Sequence, residues 1–326
     1  QYSTRGRWDQ PHYRKTVAAQ AGHLRLYTLA YAQLGFRHYL NCTESIQSYI
    51  KHFILADNGA FFAGQADGVG GIDPMRYFSL DNNQRREHGI PEVDKRLLSR
   101  ENGWLIEALA CHYEYCGNRD SLEMARLASD WSHQHGHLDN GAYSHNPAGK
   151  TAENLADTLA MGRAMLQLYR ASFDQLFLER ARRAALFIDE FYRDPVCGFH
   201  SKPVSDNKTS PRQIDENISL TRFANLLGHY CQDERFISMA RHGLRYLGIP
   251  EVATARMEEA GILIVDREIR TTPLTINLAG NRTDPLFAEL LQIAHRQPGW
   301  YKLIRLLPSD HITASIEIDG FKSRPV

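Results

Sequence analysis

Two polar segments stand immediately ahead of apolar, helix-forming stretches and carry residue types suited to acid–base chemistry on a small molecule. The first contains His12 and Lys15, just before a helical pattern that begins near residue 16. Histidine has an ordinary pKa close to neutral pH, so it can remove and return a proton next to a sugar carbonyl. A nearby lysine can stabilise the resulting enolate or keep the histidine neutral by repulsion. We therefore predict His12 and Lys15 as catalytic residues, although a histidine after proline at a helix start is also commonly a structural cap.

The second polar segment runs from Pro91 to Trp104 and places Asp94 ahead of the next helix. Acceptors near the starts of several helices can surround sugar hydroxyls while indole rings stack on the sugar. The substrate-binding residues predicted on this ground are Trp8, Asp94, Asn102, Trp104, Asp157 and Asn217. Two carboxylates facing each other across about 5–10 Å would also permit glycoside hydrolysis. An aspartate before a helix is also commonly only an N-cap, and the adjacent Lys95 only its ion-pair partner.

A histidine-rich segment from His133 to His137, with His145 beyond it, invites a metal-binding interpretation. No cysteine or glutamate nearby completes a tetrahedral set, and the helix dipole favours histidine at a helix C-terminus in any case. We therefore predict no metal site. The sequence also contains no phosphate loop, dinucleotide-binding fingerprint or nucleophile elbow, so we predict no cofactor.

Composition excludes several classes of partner. The 326 residues contain 38 Lys and Arg and 38 Asp and Glu, so the formal net charge is zero and no overall field favours nucleic acid. No apolar run approaches the roughly 20 residues that span a bilayer. The five scattered cysteines favour thiols in a reducing compartment, so we expect a cytoplasmic protein, with the periplasm as the alternative.

An internal repeat supplies the elements that must position these residues. Four long helices with apolar residues at i, i+3, i+4 and i+7 are predicted at roughly 16–36, 98–116, 151–171 and 215–231. Each is followed after a short turn by a second amphipathic helix that carries arginine. Short connections favour antiparallel neighbours, so the sequence predicts helical hairpins.

A glycine–aromatic loop follows each of the first three predicted outer helices. Asp57–Phe61 reads Asp-Asn-Gly-Ala-Phe, Asp139–Tyr143 repeats it with Tyr, and Asp194–Phe199 is a looser copy. Asp-Asn-Gly favours a tight turn with a positive φ at glycine, after which the aromatic side chain can point inward. Hairpins joined by such loops are typical of an α/α toroid of the (α/α)6 type, whose inner helices line a central funnel. An unrelated helical bundle is the alternative.

The pattern changes after about residue 250. A short strand is predicted at Pro273–Gly280, a helix at Asp284–His295, and strands at Tyr301–Leu307 and Ile312–Ile318. We therefore predict a toroid domain at 1–265 and a small α/β extension at 266–326 that packs against it.

The chain resembles the α/α-barrel region of the DUF255 family, thioredoxin-domain-containing proteins of the spermatogenesis-associated type. The matching segments are Trp8, Pro11–Val17, Gly64–Asp67, Asp94–Gly103, Asp157–Leu159 and Thr275–Gly280. The resemblance implies a fold similar to N-acylglucosamine 2-epimerases and six-hairpin glycosidases, and it adds Asp67 to the substrate-binding residues.

Departures from the family pattern leave two functions open. Arg14 stands where the family has Glu, Glu101 where it has Trp, and Ile214–Glu216 replaces its Pro-Ser-Gly turn. The family's thioredoxin domain and its first barrel helices have no counterpart here. One hypothesis is a carbohydrate-directed enzyme of epimerase or isomerase type that binds a sugar in the funnel. The alternative is an inactive interaction module whose toroid is completed by upstream residues or a partner chain.

Overall fold

The structure is a computed structural model that describes residues 2–3, 11–147, 154–204, 210–257, 259–281, 283–299, 301–307 and 315–318. Trp8, one of the predicted substrate-binding residues, lies outside the described residues. No described helix is both long enough and apolar enough to cross a membrane.

Four helical hairpins form most of the structure, as the periodicity predicted. The helices of the N-terminal part are α1 (Val17–Leu34), α2 (Arg37–Tyr49), α3 (Pro74–Ser79), α4 (Asn82–His88), α5 (Ser99–Cys116), α6 (Arg119–Gly136), α7 (Leu155–Ser172), α8 (Gln175–Phe191), α9 (Ile214–Cys231) and α10 (Glu234–Leu247). Helix α2 ends in a π-helical turn at Ile50–Ile54. The hairpins are α1/α2, α5/α6, α7/α8 and α9/α10, and the first helix of each pair is an inner helix.

Each inner helix ends in a turn that needs a left-handed residue. Gly35 and Gly117 adopt φ of 73° and 72° there, while Phe173 and Gln232 adopt 58° and 51°. The next residue is polar in the last three hairpins, and its side chain accepts a hydrogen bond from the first turn of the outer helix, as Asn118 does from Ser121. The left-handed residue reverses the chain and the cap satisfies a free N–H, so the turn takes only two residues.

Burial separates inner from outer helices. Nearly every residue of α5 and α7 is buried, whereas α6, α8 and α10 bury one face. Most of the buried apolar side chains belong to one continuous core between the two layers. Helices α5 and α7 therefore have neighbours on nearly all sides, whereas the inner helices α1 and α9 are less buried.

The C-terminal part contains α11 (Pro250–Thr254), α12 (Gly261–Arg270), β6 (Leu274–Ala279), α13 (Pro285–Arg296), β7 (Lys302–Leu307) and β8 (Ser315–Ile318). Strand β6 pairs in parallel with β7 and antiparallel with β8. These elements agree with the predicted strands and helix, and Ile312–Ala314 of the last predicted strand lie outside the described residues. The domain boundary predicted at 265/266 falls inside α12.

The α/β extension covers the end of the toroid where the inner helices finish. Lys302 is 1% exposed and its ammonium group lies 3.5 Å from the Glu114 carboxylate of α5. The hydroxyl of Tyr115 donates to the Gly299 carbonyl at 3.2 Å, and the His295 ring stacks on Phe173 at the end of α7. These contacts close the C-terminal end of the funnel.

The segment that carries the first polar motif is extended. Its strands are β1 (Tyr2–Ser3), β2 (Pro11–His12) and β3 (Lys15–Thr16), and β3 belongs to a three-stranded sheet with β4 (Gly64–Gln65) and β5 (Val93–Asp94). The helix predicted to begin near residue 16 begins at Val17, where the Thr16 side chain caps it. His12 and Lys15 lie just ahead of this helix, as predicted, but in two extended strands.

Candidate functional site

The outer-to-inner loops gather at the end of the toroid where the inner helices begin. The three glycine–aromatic turns are formed as predicted, with φ of 87° at Gly59, 96° at Gly141 and 79° at Gly198. The aromatic residue that follows each turn, Phe61 or Tyr143 or Phe199, is at most 1% exposed. The long loops and the inner-helix N-termini therefore form one end of the funnel together.

The fourth residue of the next inner helix holds each buried aromatic residue by its backbone. Asn102 accepts a hydrogen bond from the Phe61 N–H at 2.8 Å and donates to the carbonyls of Phe61 and Leu98, both at 3.0 Å. Asn217 holds Phe199 in the same way, with an N–H distance of 2.8 Å. Both amides are fully buried and their hydrogen bonds hold the loop, so we assign Asn102 and Asn217 a positioning role.

Thr158 takes the same position in α7, where its hydroxyl accepts from the Tyr143 N–H at 3.0 Å. Thr158 is therefore the counterpart in α7 of Asn102 in α5 and Asn217 in α9. The third residue of each of the three helices is then a carboxylate: Glu101 in α5, Asp157 in α7 and Glu216 in α9. Carboxylates near a helix N-terminus are stabilised by the helix dipole.

Asp157 forms a pair with His145, which lies in the preceding loop two residues after Tyr143. Nδ1 of His145 lies 2.9 and 3.2 Å from the two carboxylate oxygens of Asp157, and the backbone N–H of Arg100 donates to the same carboxylate at 3.2 Å. Asp157 is 1% exposed, whereas the His145 side chain is 39% exposed. The buried carboxylate thus orients a histidine whose ring reaches solvent, an arrangement that suits a general base.

The next loop and helix repeat this pairing with different chemistry. Ser201 stands two residues after Phe199, as His145 does after Tyr143, and its hydroxyl donates to a Glu216 carboxylate oxygen at 2.5 Å. Burial raises the pKa of Glu216, the Ser201 hydrogen bond and Arg100 oppose the rise, and the negative charge of Asp157 adds to it. A carboxyl group whose pKa is raised in this way is suited to donate a proton.

Arg100 and Trp104 complete this end of the funnel on α5. The Arg100 guanidinium lies 4.9 Å from the Trp104 ring centroid and donates to Glu101 at 2.8 Å. Trp104 lines a cavity of about 250 Å³ together with Arg25, Glu107 and small residues of α1. The predicted role of Trp104 as a stacking face remains a prediction, and its position beside a cavity is compatible with it.

Below this level the funnel is lined by charged residues. A second cavity of about 90 Å³ shares Arg25, Glu107 and Arg163 with the first, and it extends to Arg222 on α9 and Tyr301 of the extension. Burial acts to raise the pKa of Glu107, but the charges of Arg163 and Arg25 outweigh it and keep the pKa below its usual range. These two cavities and their lining residues form the interior of the funnel.

Three of the predicted residues lie together in a different place, an open groove beside the β3–β4–β5 sheet. The groove has a volume of about 1000 Å³, and His12, Asp67 and Asp94 line it with Arg14 and Lys95. Two of these residues have close local partners. The backbone N–H of Arg14 donates to His12 at 3.3 Å, and hydrogen bonds from Arg96 hold the pKa of Asp94 below its usual range.

Lys15 does not line this groove. Its ammonium group lies over the rings of Tyr49 and Phe78, at 5.2 and 5.1 Å from their centroids. Burial, together with the positive charge of Arg85, lowers the pKa of Lys15. Lys15 thus packs on two aromatic rings and does not face the groove. The predicted site residues do not share one cavity, since His12, Asp67 and Asp94 line the groove and Trp104 lines the funnel.

The rings of the histidine-rich segment pack against other aromatic rings. His135 stacks on Trp131 with centroids 4.7 Å apart, and the His133 and His137 rings are 4.2 Å apart. Within the part of the chain that the structure describes, no group of three or more His, Cys, Asp or Glu residues is placed to hold a metal ion.

Three residues of the candidate site were not singled out for their chemistry from the sequence: His145, Glu216 and Arg100. His145 was considered only with the histidine-rich segment, and Glu216 only as a departure from the family pattern. The signal that identifies them is the register of the repeat. When the repeats are aligned so that Asn102 and Asn217 are the fourth residues of their helices, the preceding residue of each helix is a carboxylate. The same alignment identifies His145 by its position two places after a buried aromatic residue.

Known structures share this fold. The protein is similar to cellobiose 2-epimerase from Spirochaeta thermophila, with 16% identity, coverage of 76% of this chain and 61% of that chain, and a TM-score of 0.58. It is also similar to a sugar epimerase from a ruminal bacterium (15% identity, 73% and 62% coverage, TM-score 0.56) and to a GH76 α-mannanase from Bacteroides thetaiotaomicron (13% identity, 87% and 73% coverage, TM-score 0.57).

These likenesses establish the α/α toroid predicted from the repeat. The chain spans about three fifths of the length of the two epimerases. The sequence matches no protein-family model, and no curated protein is detectably similar to it.

Proposed function

We propose that the protein is a carbohydrate-directed enzyme of epimerase or isomerase type, and that His145 moves the proton. The observation that carries this proposal is the His145–Asp157 pair at the end of the toroid where the inner helices begin, with Nδ1 of His145 held 2.9 Å from a buried carboxylate. That hydrogen bond fixes the orientation of the ring and stabilises the imidazolium that forms when Nε2 accepts a proton. The toroid neighbours that act on sugars support the substrate class.

The proposed step takes place next to the carbonyl of an open-chain sugar. Nε2 of His145 removes the proton from the carbon beside the carbonyl, and the C–H electron pair forms the enediolate double bond while the carbonyl oxygen gains the negative charge. Glu216, whose pKa is raised mainly by burial, donates a hydrogen bond or proton to that oxygen. For the epimer, the enediol turns its other face to protonated His145, which returns the proton to the same carbon while Glu216 takes back the proton from the oxygen. For the isomer, His145 returns the proton to the neighbouring carbon, and Glu216 accepts the proton of the other enediol hydroxyl, which becomes the new carbonyl.

The environment of Asp157 favours proton transfer over glycoside hydrolysis. A retaining glycosidase needs a carboxylate that attacks the anomeric carbon, and an inverting one needs a carboxylate that activates water. The Asp157 carboxylate is 1% exposed and is occupied by hydrogen bonds from His145 and the Arg100 backbone. It therefore serves the histidine and is not free to act on the sugar itself.

The remaining predicted residues have places in the proposal. Trp104 provides the stacking face beside the funnel, and His12, Asp67 and Asp94 hold hydroxyl groups in the groove. In this proposal the base is His145, because the buried Asp157 carboxylate holds its Nδ1, and His12 lies in the groove beside the β3–β4–β5 sheet.

Two finer assignments also remain proposals. Membership of the DUF255 family rests on the motifs given above. The reducing compartment rests on five free cysteines, of which Cys111 and Cys116 have pKa values raised to about 12, mainly by burial.

The test is an assay of the purified protein on reducing monosaccharides and disaccharides, with products resolved by NMR. Wild-type protein is expected to form a C2 epimer or a ketose from at least one sugar, and His145→Gln is expected to lose this activity while keeping its circular dichroism spectrum. His135→Gln is the matched control, because His135 stacks on Trp131 at the end of an outer helix and is expected to have no effect. Full activity in His145→Gln would overturn the assignment, and a folded wild-type protein with no turnover would favour the interaction module.

A further inference from the structure

The funnel carries more arginines than carboxylates. Arg25 of α1 and Arg163 of α7 both contact Glu107 of α5, at 3.3 and 2.8 Å from the same carboxylate oxygen. Across the cavity, Arg222 of α9 forms a two-pronged pair with Glu268 of α12, with both distances at 2.8 Å. Three guanidinium groups on three inner helices thus share two carboxylates, and all five side chains line one cavity.

A fourth arginine deepens the imbalance. Arg170 lines the same cavity and is 7% exposed, and its Nε has no hydrogen-bond partner among the described residues. Its carboxylate partner, Glu114 at 3.0 Å, is shared with Lys302 at 3.5 Å. Arg170 and Lys302 thus share one carboxylate, so the described side chains around Arg170 also include two positive groups for one negative group.

The arginines that line the cavity repel one another electrostatically. Burial lowers the pKa of Arg163, Glu107 opposes this, and the charges of Arg25 and Arg222 lower it further. Arg170 is buried and the other three arginines are partly exposed. An excess of positive charge around a half-enclosed cavity is unfavourable, and an entering anion would relieve it. Guanidinium groups are well suited to this, since their planar N–H donors match the oxygens of a carboxylate or phosphate.

We propose that the ligand of the funnel is an acidic sugar, whose carboxylate or phosphate oxygens are bound between Arg163, Arg222 and Arg170. This inference rests on the proposed function, because it names the class of sugar that the same funnel binds. The acidic group lies between Arg163, one to two helical turns along α7 from Asp157, and Arg170, between three and four turns from it, and the rest of the sugar extends towards His145.

The test is calorimetric titration of the wild-type chain with matched pairs of sugars: glucose against glucuronate, galactose against galacturonate, and glucose against glucose 6-phosphate. The acidic member of at least one pair is expected to bind about tenfold tighter or more, with an affinity that falls as salt rises. The uronates and the phosphate ester separate the two sources of the anion. Equal affinity within every pair overturns the acidic-sugar inference and leaves the proposed function standing, whereas no binding of any sugar overturns both.

Two variants in opposite directions locate the anion. Arg163→Met is expected to abolish the preference for the acidic sugar, and Glu107→Gln, which keeps the side-chain shape and removes a negative charge, is expected to strengthen it. Arg235→Met is the control, since Arg235 is an exposed arginine paired with Asp233 on the outer layer. Thermal unfolding verifies that each variant is folded. An unchanged preference in both funnel variants would overturn the site.

Discussion

The asparagine that holds each buried aromatic loop gives the sharpest prediction for the fold. We expect Asn102→Ala to lower the free energy of unfolding by about 3 kcal/mol. The substitution removes the hydrogen-bond partners of both the N–H and the carbonyl of Phe61, a residue with no exposed surface. Leaving one such buried group unpaired costs about 1–3 kcal/mol, and the better helix propensity of alanine returns roughly 0.5 kcal/mol.

Equivalent residues in the other repeats allow the expected loss of unfolding free energy to be compared within the same protein. Asn217→Ala removes the equivalent hydrogen bonds to Phe199 and is expected to cost the same amount. Thr158→Val orphans only one N–H and changes shape little, so its expected cost is about 1–2 kcal/mol. Asn118→Ala serves as the control, because it removes a single helix cap and is expected to cost about 1 kcal/mol.

Urea unfolding followed by circular dichroism measures the series, and hydrogen exchange of the Phe61 amide tests the local cause. The amide is expected to be protected in the wild type and to exchange rapidly in Asn102→Ala. The reasoning is refuted if Asn102→Ala costs less than Asn118→Ala, or if the Phe61 amide stays protected in the variant.

Three further predictions concern the site and the extension. Asp157→Asn is expected to reduce turnover by roughly 100-fold or more, because His145 loses its carboxylate partner, and a steady-state assay with the active sugar checks this. Burial lowers the pKa of His112 and His295 from 6.5 to about 4, so both histidines remain neutral in the folded protein above pH 4. The free energy of unfolding is therefore at its full value above pH 6.5 and falls by up to roughly 3 kcal/mol per histidine as the pH decreases to 4. Urea titrations at pH 7, 5.5 and 4.5 are expected to show a falling midpoint. Lys302→Met is expected to cost about 3–5 kcal/mol, because the substitution breaks a buried ion pair and frees three carbonyls at the end of α13; thermal unfolding measures this, and an unchanged midpoint would contradict it.

Two of the inner helices could be predicted from the sequence almost to the residue, whereas the one predicted at 151–171 begins only at Leu155. The stretch predicted at 98–116 is Ser99–Cys116, and the one predicted at 215–231 is Ile214–Cys231. Their ends were visible because the left-handed turn residue and the polar cap after it are local features. The strands of the first polar motif were missed, since two-residue strands are formed by pairing with distant segments and leave no periodicity.

The site was harder to predict because its partners lie far apart in the chain. Glu107 and Arg163 are 56 residues apart and meet only because adjacent inner helices pack side by side. Asp157 was identified as a polar residue at a helix start, but its partner His145 could be recognised only after the loop geometry was known. The sequence shows which charged residues lie on the apolar helices, but the pairs that these residues form depend on helix register and packing.

Solvent exchange of a sugar proton tests the central claim most directly. The protein is incubated in D2O with the sugar that binds most tightly, and NMR follows deuterium entering the carbon next to the carbonyl. We predict exchange with the wild type and none with His145→Gln. Exchange that persists in His145→Gln, or its absence in a folded wild type that binds the sugar, would contradict the account.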